Sequence, residues 1–128
     1  MPVKIAVLKE TRPNERRVAL VPVVADKLAK LGAELHMQSG AGTAVKLADA
    51  AYKNVTFAAN PQGLVSDADI VLSVQPPSLE VVNAMKEGSI LLSFVYAHKE
   101  VEITKALRDK KITSFAMELV PRITRAQS

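Results

Sequence analysis

The stretch KETRPNERR, residues 9–17, is the first place in this sequence where side chains of the right type for chemistry are crowded together. It carries the cations Lys9, Arg12, Arg16 and Arg17 and the carboxylates Glu10 and Glu15. A guanidinium is a planar fork of donors that grips a carboxylate or a phosphate through two parallel hydrogen bonds. The residue types leave two interpretations open: Arg17 binds an anion, or these charges form a solvated surface.

A second crowded stretch ends the chain, where Glu118, Arg122, Arg125 and Gln127 fall close together. The side chains of Arg122 and Gln127 carry donors that suit a carboxamide or a phosphate. The same stretch suits the first turn of a helix, because Thr124 is a good N-cap residue. Residue chemistry alone does not choose between a binding site and a helix start.

The remaining candidates are weaker. Gly40–Gly42 resembles a nucleotide-binding glycine motif, but Val45 occupies the place of the third glycine, and the motif follows the second predicted strand. We therefore expect a plain turn with a positive φ angle. His98 follows the most apolar strand, but no Ser or Cys nucleophile stands beside it to form a triad. No spacing typical of metal ligands is present, so we expect no metal site.

Composition favours a single α/β domain. The chain has 128 residues, 48% hydrophobic and only 4% aromatic, so Val, Ile, Leu and Ala must build the core. Such a core is typical of strands buried on both faces by helices. The net charge of +4 comes from dispersed basic residues without interleaved aromatics, which argues against nucleic-acid binding. No apolar run approaches the roughly 20 residues of a membrane-spanning helix, so we expect a water-soluble chain.

The pattern of apolar residues predicts strands that alternate with helices. Strands are predicted at 4–8, 33–38, 55–59, 70–74, 89–95 and 112–119, and helices at 22–31, 46–54, 78–87 and 101–111. This alternation predicts an open, mainly parallel sheet with helices on both faces, Rossmann-like or flavodoxin-like, formed by the whole of residues 1–128. Ligands of such sheets bind at the carboxyl ends of the strands, and the loops predicted there are 9–17, 39–43, 75–77, 96–99 and 117–127.

Two motifs carry a family resemblance. KETRPNERRVALVP and AMELVPRITRAQS resemble the N-terminal domain shared by alanine dehydrogenases and the alpha subunit of proton-translocating NAD(P) transhydrogenases, and the second motif is similar to transhydrogenases in particular. The resemblance implies an enzyme that transfers hydride from NADH to NADP⁺ while protons cross a membrane. It also implies that residues 1–128 are a fragment, inactive alone, because a Rossmann domain that binds NAD(H) would follow.

The resemblance further implies the partners and the location. The alpha subunit would form a homodimer and would work with a beta subunit whose domain holds NADP(H). The subunit would be cytoplasmic and would reach the inner membrane only through the complex. On the last loop, the family's Arg and Gln that approach the nicotinamides match Arg122 and Gln127, which makes them the predicted catalytic and cofactor-binding residues. The family's Asp would come just after Ser128.

Alanine dehydrogenase is the alternative within the same family. Its imine chemistry uses an Arg, a Lys and a His, and the resemblance matches these to Arg17, Gln75 and Tyr96, so that only the Arg is retained. Hydride exchange between two nicotinamide rings needs no proton transfer, so loss of the Lys and His is expected of a transhydrogenase. A shifted role for His98, two places further on, remains open, as does the choice between loop structure and anion binding for Arg17.

A third alternative is a signalling receiver-like domain, which has similar layers. That class needs an acidic pair after the first strand and a phosphorylatable Asp at the end of the third. The chain has KET and AAN at these places, so this class is disfavoured.

Overall fold

A computed structural model describes residues 3–13, 15–93 and 100–116. These residues form a single six-stranded sheet in which every paired strand is parallel to its neighbour. The strands are β1 (Lys4–Val7), β2 (Glu34–Gln38), β3 (Val55–Ala58), β4 (Ile70–Leu72), β5 (Ile90–Ser93) and β6 (Thr113–Ala116). Their order across the sheet is β3-β2-β1-β4-β5-β6. The predicted parallel α/β sheet is confirmed.

The helices connect these strands. They are α1 (Pro22–Lys30), α2 (Pro61–Val65), α3 (Leu79–Ala84) and α4 (Val101–Asp109). The sequence analysis missed α2, although Asn60 caps it by accepting the N–H groups of Gln62 at 2.9 Å and Gly63 at 3.3 Å. Of the helices in the described part of the chain, not one is both long enough and apolar enough to cross a bilayer.

The sheet divides two apolar cores. On one face α1 packs through Ala25 against strand residues such as Val7 and Met37, and on the other face α2, α3 and α4 pack against residues such as Val71 and Leu91. Consecutive residues of a strand point to opposite faces, so β1 contributes to both cores. Burying one large aliphatic side chain stabilises the fold by about 1.5–3 kcal/mol. The two cores contain many such side chains, and together they hold in place the edge of the sheet from which the loops leave.

The helix predicted at 46–54 is wrong. The segment instead contains two short 3₁₀ turns, Thr43–Val45 and Asp49–Ala51. Between them Lys46 has a φ angle of 63°, which an α-helix does not permit. The carboxylate of Asp49 accepts the N–H of Gly40, and the buried hydroxyl of Tyr52 donates to the Leu20 carbonyl at 2.6 Å. Contacts with distant residues therefore override the helical pattern of this segment.

The two glycines of Gly40–Gly42 are needed for different reasons. Gly40 has a φ angle of 79°, so the predicted turn with a positive φ is confirmed there. Gly42 has a φ angle of −93°, which any residue adopts. Its requirement is space, because a Cβ at this position would lie 2.7 Å from the Leu47 carbonyl oxygen and 2.9 Å from the Leu47 Cβ. The motif shapes the loop after β2.

The crowding at Gly42 gives a direct test of this loop. We expect Gly42→Ala to lower the free energy of unfolding by about 1–3 kcal/mol, because backbone must shift to admit the methyl group. The matched control is Gly63→Ala, where no atom lies within 4 Å of the added Cβ. Because Gly63 lies within α2, this control should raise stability by about 0.5–1 kcal/mol. Urea denaturation measures both changes, and an unchanged stability of Gly42→Ala would contradict the packing described here.

Candidate functional site at the point where the strand order reverses

The loops after β1 and β4 leave the sheet side by side. The chain builds outward from β1 through β2 to β3, then returns to place β4 on the other side of β1. Open α/β sheets bind their ligands in the crevice at this reversal, outside the carboxyl ends of the strands. The structure therefore brings the predicted loops 9–17 and 75–77 together in one candidate site.

Glu10 joins these two loops. Its carboxylate accepts the backbone N–H of Val74 at 2.8 Å and the backbone N–H of Gln75 at 2.9 Å. Burial raises the pKa of Glu10 above its ordinary value, and the two hydrogen bonds only partly oppose this rise. Partial burial of this carboxylate destabilises the fold, but leaving the two amides after β4 without an acceptor would destabilise it too. The result is one unit made of two loops.

Arg12 is a second tie between the loops. Its Nε and Nη2 atoms each lie 3.3 Å from the carbonyl oxygen of Pro76. The same guanidinium pairs with the carboxylate of Glu100, immediately before α4. Arg12 therefore links the β1 loop to the β4 loop and to the start of α4, and its guanidinium serves the structure of the site.

Arg17 already holds an anion, which is the carboxylate of Glu15. The guanidinium Nε and Nη2 atoms each donate to a different carboxylate oxygen at 2.9 Å, and the Arg17 backbone N–H donates at 3.0 Å. The side-chain amide of Gln75 adds a fourth donor at 2.7 Å. The Glu15 side chain is only 8% exposed, and the hydrogen bonds from the Arg17 guanidinium are the main cause that lowers its pKa to about 2.

A mostly apolar cavity of about 410 Å³ lies beside Arg17. Its walls include Val18, Leu72 and Leu92, from the β1 loop, β4 and β5. A cavity with such walls suits an uncharged ring or a short hydrocarbon group. The candidate site therefore combines a filled guanidinium fork with neighbouring apolar space.

The described residues do not fit the phosphates of a dinucleotide. Rossmann sites use a glycine-rich turn after the first strand, which leads at once into a helix whose N-terminal N–H groups face the pyrophosphate. Here the β1 loop has no glycine, and α1 starts only at Pro22. Several donors at this edge are already occupied by the chain's own carboxylates. Glu10 occupies the amides of Val74 and Gln75, Glu15 occupies Nε and Nη2 of Arg17, and Asp49 occupies the amide of Gly40.

The outcome for the predicted site residues is divided. Arg17 and Gln75 lie close together, because both donate to the carboxylate of Glu15. Sequence reasoning placed Glu10 and Glu15 in the charged loop but did not find their roles as internal ligands. Glu15 stands two residues before Arg17, which was the one signal of that pair. Seven more residues singled out from the sequence lie outside the described part of the chain: Tyr96, His98, Glu118, Arg122, Thr124, Arg125 and Gln127.

Comparison with known proteins gives a consistent set of relatives. The family described as "Alanine dehydrogenase/PNT, N-terminal domain" matches residues 6–128. The first part of NAD(P) transhydrogenase subunit alpha from Rhodospirillum rubrum is 41% identical over 132 residues, which cover 98% of this chain and 34% of that protein. An alanine dehydrogenase of Methanococcus maripaludis is 32% identical over 118 residues, which cover 91% of this chain and 32% of that protein.

A solved structure agrees with these relatives. The transhydrogenase of Sinorhizobium meliloti superposes with a TM-score of 0.86 at 31% identity, over 97% of this chain and 37% of that one. The chain spans about a quarter to about a third of the length of the relatives that it matches. Its identity with the transhydrogenase of R. rubrum exceeds its identity with the alanine dehydrogenase, as the last motif of the sequence predicted. The chain belongs to the alanine dehydrogenase/PNT N-terminal domain family, and within it resembles the transhydrogenase alpha subunits more than the alanine dehydrogenases.

Proposed function

We propose that the chain is the N-terminal part of the alpha subunit of a proton-translocating transhydrogenase, an enzyme that transfers hydride from NADH to NADP⁺. The observation that carries the proposal is the 41% identity with a transhydrogenase alpha subunit across 98% of the chain. The relatives are about three times as long, so the activity belongs to a larger assembly.

The chemistry of the candidate site supports this proposal. Making and hydrating an imine needs groups that exchange protons near neutral pH. Gln75 stands where the resemblance places the Lys of alanine dehydrogenase, and an amide does not exchange protons in that range. Its Nε2 atom is also engaged by Glu15 at 2.7 Å. Transfer of hydride between two nicotinamide rings needs alignment of the rings and no proton shuttle, so a neutral residue is acceptable.

Several donors at the edge of the sheet are already occupied, which supports the proposal that other domains of the larger protein bind the two cofactors. NAD(H) would be held mainly by a second domain of the alpha subunit, and NADP(H) by a domain of the beta subunit. The alpha subunits would form a homodimer on the cytoplasmic side of the inner membrane, attached through the complex. Arg122 and Gln127 would approach the nicotinamides and orient them, as catalytic and cofactor-binding residues.

Alanine dehydrogenase remains the second candidate because Arg17 is retained and a relative of that name is 32% identical. In that activity Arg17 would bind the substrate's carboxylate, and His98 would take part in acid–base chemistry. An assay of the larger protein for amination of pyruvate separates the two candidates. Measurable amination that is lost in His98→Ala would favour the second.

One prediction of this proposal concerns how tightly the 128-residue chain binds NADH. Because the described residues offer no site for the pyrophosphate, we expect NADH to bind with a dissociation constant weaker than about 100 μM. Isothermal titration calorimetry measures this value. A polypeptide that adds the proposed second domain should bind NADH far more tightly under the same conditions. Binding of NADH to residues 1–128 at low micromolar concentration would contradict the proposed division.

Another prediction of this proposal concerns Arg122 and Gln127 in the complete enzyme. We expect Arg122→Ala and Gln127→Ala each to lower the rate of NADP⁺ reduction by NADH by about 10- to 100-fold, because misplaced rings react slowly. The control is Arg108→Ala, which removes an exposed Arg from α4, before the last loop. Wild-type rates in both site variants would show that these residues do not align the nicotinamides.

A further inference from the structure

We propose that Glu100 is a positioning residue for the candidate site. Instead of capping α4, its carboxylate anchors the guanidinium of Arg12, and Arg12 holds the loop after β4 against the loop after β1. This inference concerns how the site keeps its shape, and it rests on the geometry of these residues. Its consequence for hydride transfer rests on the function proposed above.

The loop after β4 has few backbone groups with which to hold itself in place. Pro76 and Pro77 follow one another and have no N–H, so this stretch of backbone offers only carbonyl groups. The carbonyl oxygen of Pro76 accepts from Nε and Nη2 of Arg12, each at 3.3 Å. Two donors of one planar guanidinium therefore hold a stretch of loop that has no donor of its own.

Arg12 needs an anchor of its own for this task. Its side chain is 37% exposed, and a long exposed side chain samples many conformations unless it is held. The anchor is the carboxylate of Glu100, which pairs with Nη1, the nitrogen that does not contact Pro76. The three guanidinium nitrogens are therefore all used, two on the loop after β4 and one on the anchor.

The backbone of Glu100 is fixed to the start of α4. Its carbonyl oxygen accepts the N–H and the hydroxyl of Thr104, both at 2.9 Å. The helix in turn is held by Ile103 and Leu107, which are buried in one of the two cores. Glu100 therefore joins Arg12 to a helix that belongs to neither of the two loops.

The place of Glu100 in its helix supports this role. It is the N-cap residue of α4, a position that Ser, Thr, Asp and Asn fill best because their side chains accept N–H groups of the first turn. Asn60 and Ser78 accept such groups at the starts of α2 and α3. The Glu100 side chain makes no capping hydrogen bond and pairs with Arg12 instead. The chain thus gives up a helix cap at the residue that anchors Arg12.

The test replaces Glu100 with a residue that caps well but does not reach Arg12. Asn is one methylene shorter than Glu and has no charge, so Glu100→Asn should release the guanidinium and cap α4. We expect the amide hydrogens of Val74 and Gln75 to exchange with solvent at least about fivefold faster than in the wild type, because their loop is less firmly held. Hydrogen–deuterium exchange of the ¹⁵N-labelled chain, followed by NMR, measures these rates. Wild-type rates in Glu100→Asn would overturn the proposal.

A second variant separates positioning from a general loss of stability. Glu100→Gln keeps the length of the side chain and an acceptor for Arg12, but Gln is not a capping residue. We expect Glu100→Gln to have a lower urea midpoint than Glu100→Asn and yet to exchange the amides of Val74 and Gln75 more slowly. If Glu100 served stability alone, the less stable variant would exchange these amides faster, and that order would overturn the proposal.

Two further variants test whether the effect passes through Arg12. In an Arg12→Ala background, Glu100→Asn should speed exchange of the Val74 and Gln75 amides no further, and an increase as large as in the wild-type background would overturn the proposal. The matched control is Glu102→Gln, which removes an exposed carboxylate from the first turn of the same helix. It should leave both rates unchanged. A rise equal to that of Glu100→Asn would show that lost charge at the helix start, and not the anchor, causes the effect.

The complete enzyme connects the anchor with catalysis. We expect Glu100→Asn to lower kcat for reduction of NADP⁺ by NADH by about three- to tenfold, because a less firmly held site aligns the rings less well. KM for NADH should change less than about twofold, since the proposed second domain still holds NADH. A wild-type kcat in Glu100→Asn would overturn the positioning role. A wild-type enzyme without this activity would contradict the proposed function instead, and the exchange rates would then decide the role of Glu100.

Discussion

The half-buried carboxylate of Glu10, hydrogen-bonded to two backbone amides, is the interaction on which the candidate site depends. These two N–H groups follow the end of β4 and donate to Glu10 rather than to a neighbouring strand. A buried N–H group without an acceptor would destabilise the fold. Burying the charge is also costly, which is why the pKa of Glu10 is raised. The hydrogen bond from Glu10 holds the backbone of Gln75 in place. The side chain of Gln75 in turn positions Glu15, which binds Arg17.

The same edge of the sheet has different uses in related folds. A Rossmann sheet keeps donors free at the reversal of its strand order, and a ligand's phosphates satisfy them. In the described part of this chain, Glu10, Glu15 and Asp49 satisfy such donors from within the domain. The strand order alone would therefore suggest a dinucleotide site where the side chains do not provide one. What remains beside Arg17 is apolar space, which suits an uncharged ring or a short hydrocarbon group.

The sequence predicted the parts of the fold that local patterns control. β1 was predicted because its residues form an apolar run. α1 was predicted because its helical period is bounded by Pro22 and Gly32. The loop at 46–54 was not predicted, because the hydroxyl of Tyr52 is held by the carbonyl of Leu20, and no local pattern reveals that contact. The candidate site was also predicted only in part, for the same reason. The pattern located Arg17, but Glu10 finds its partners 64 and 65 residues away, and only the folded chain shows that pairing. The roles of Arg122 and Gln127 stay predictions.

The central claim is that the backbone amides of Gly40, Val74 and Gln75, at the carboxyl edge of the sheet, are closed to anions by the chain's own carboxylates. It is tested most directly by adding inorganic pyrophosphate to the ¹⁵N-labelled chain and following the amide signals of Gly40, Val74 and Gln75. The account predicts that these three signals stay in place up to about 10 mM, a concentration at which even a weak specific site would fill. Saturable movement of these signals at lower concentration would contradict it.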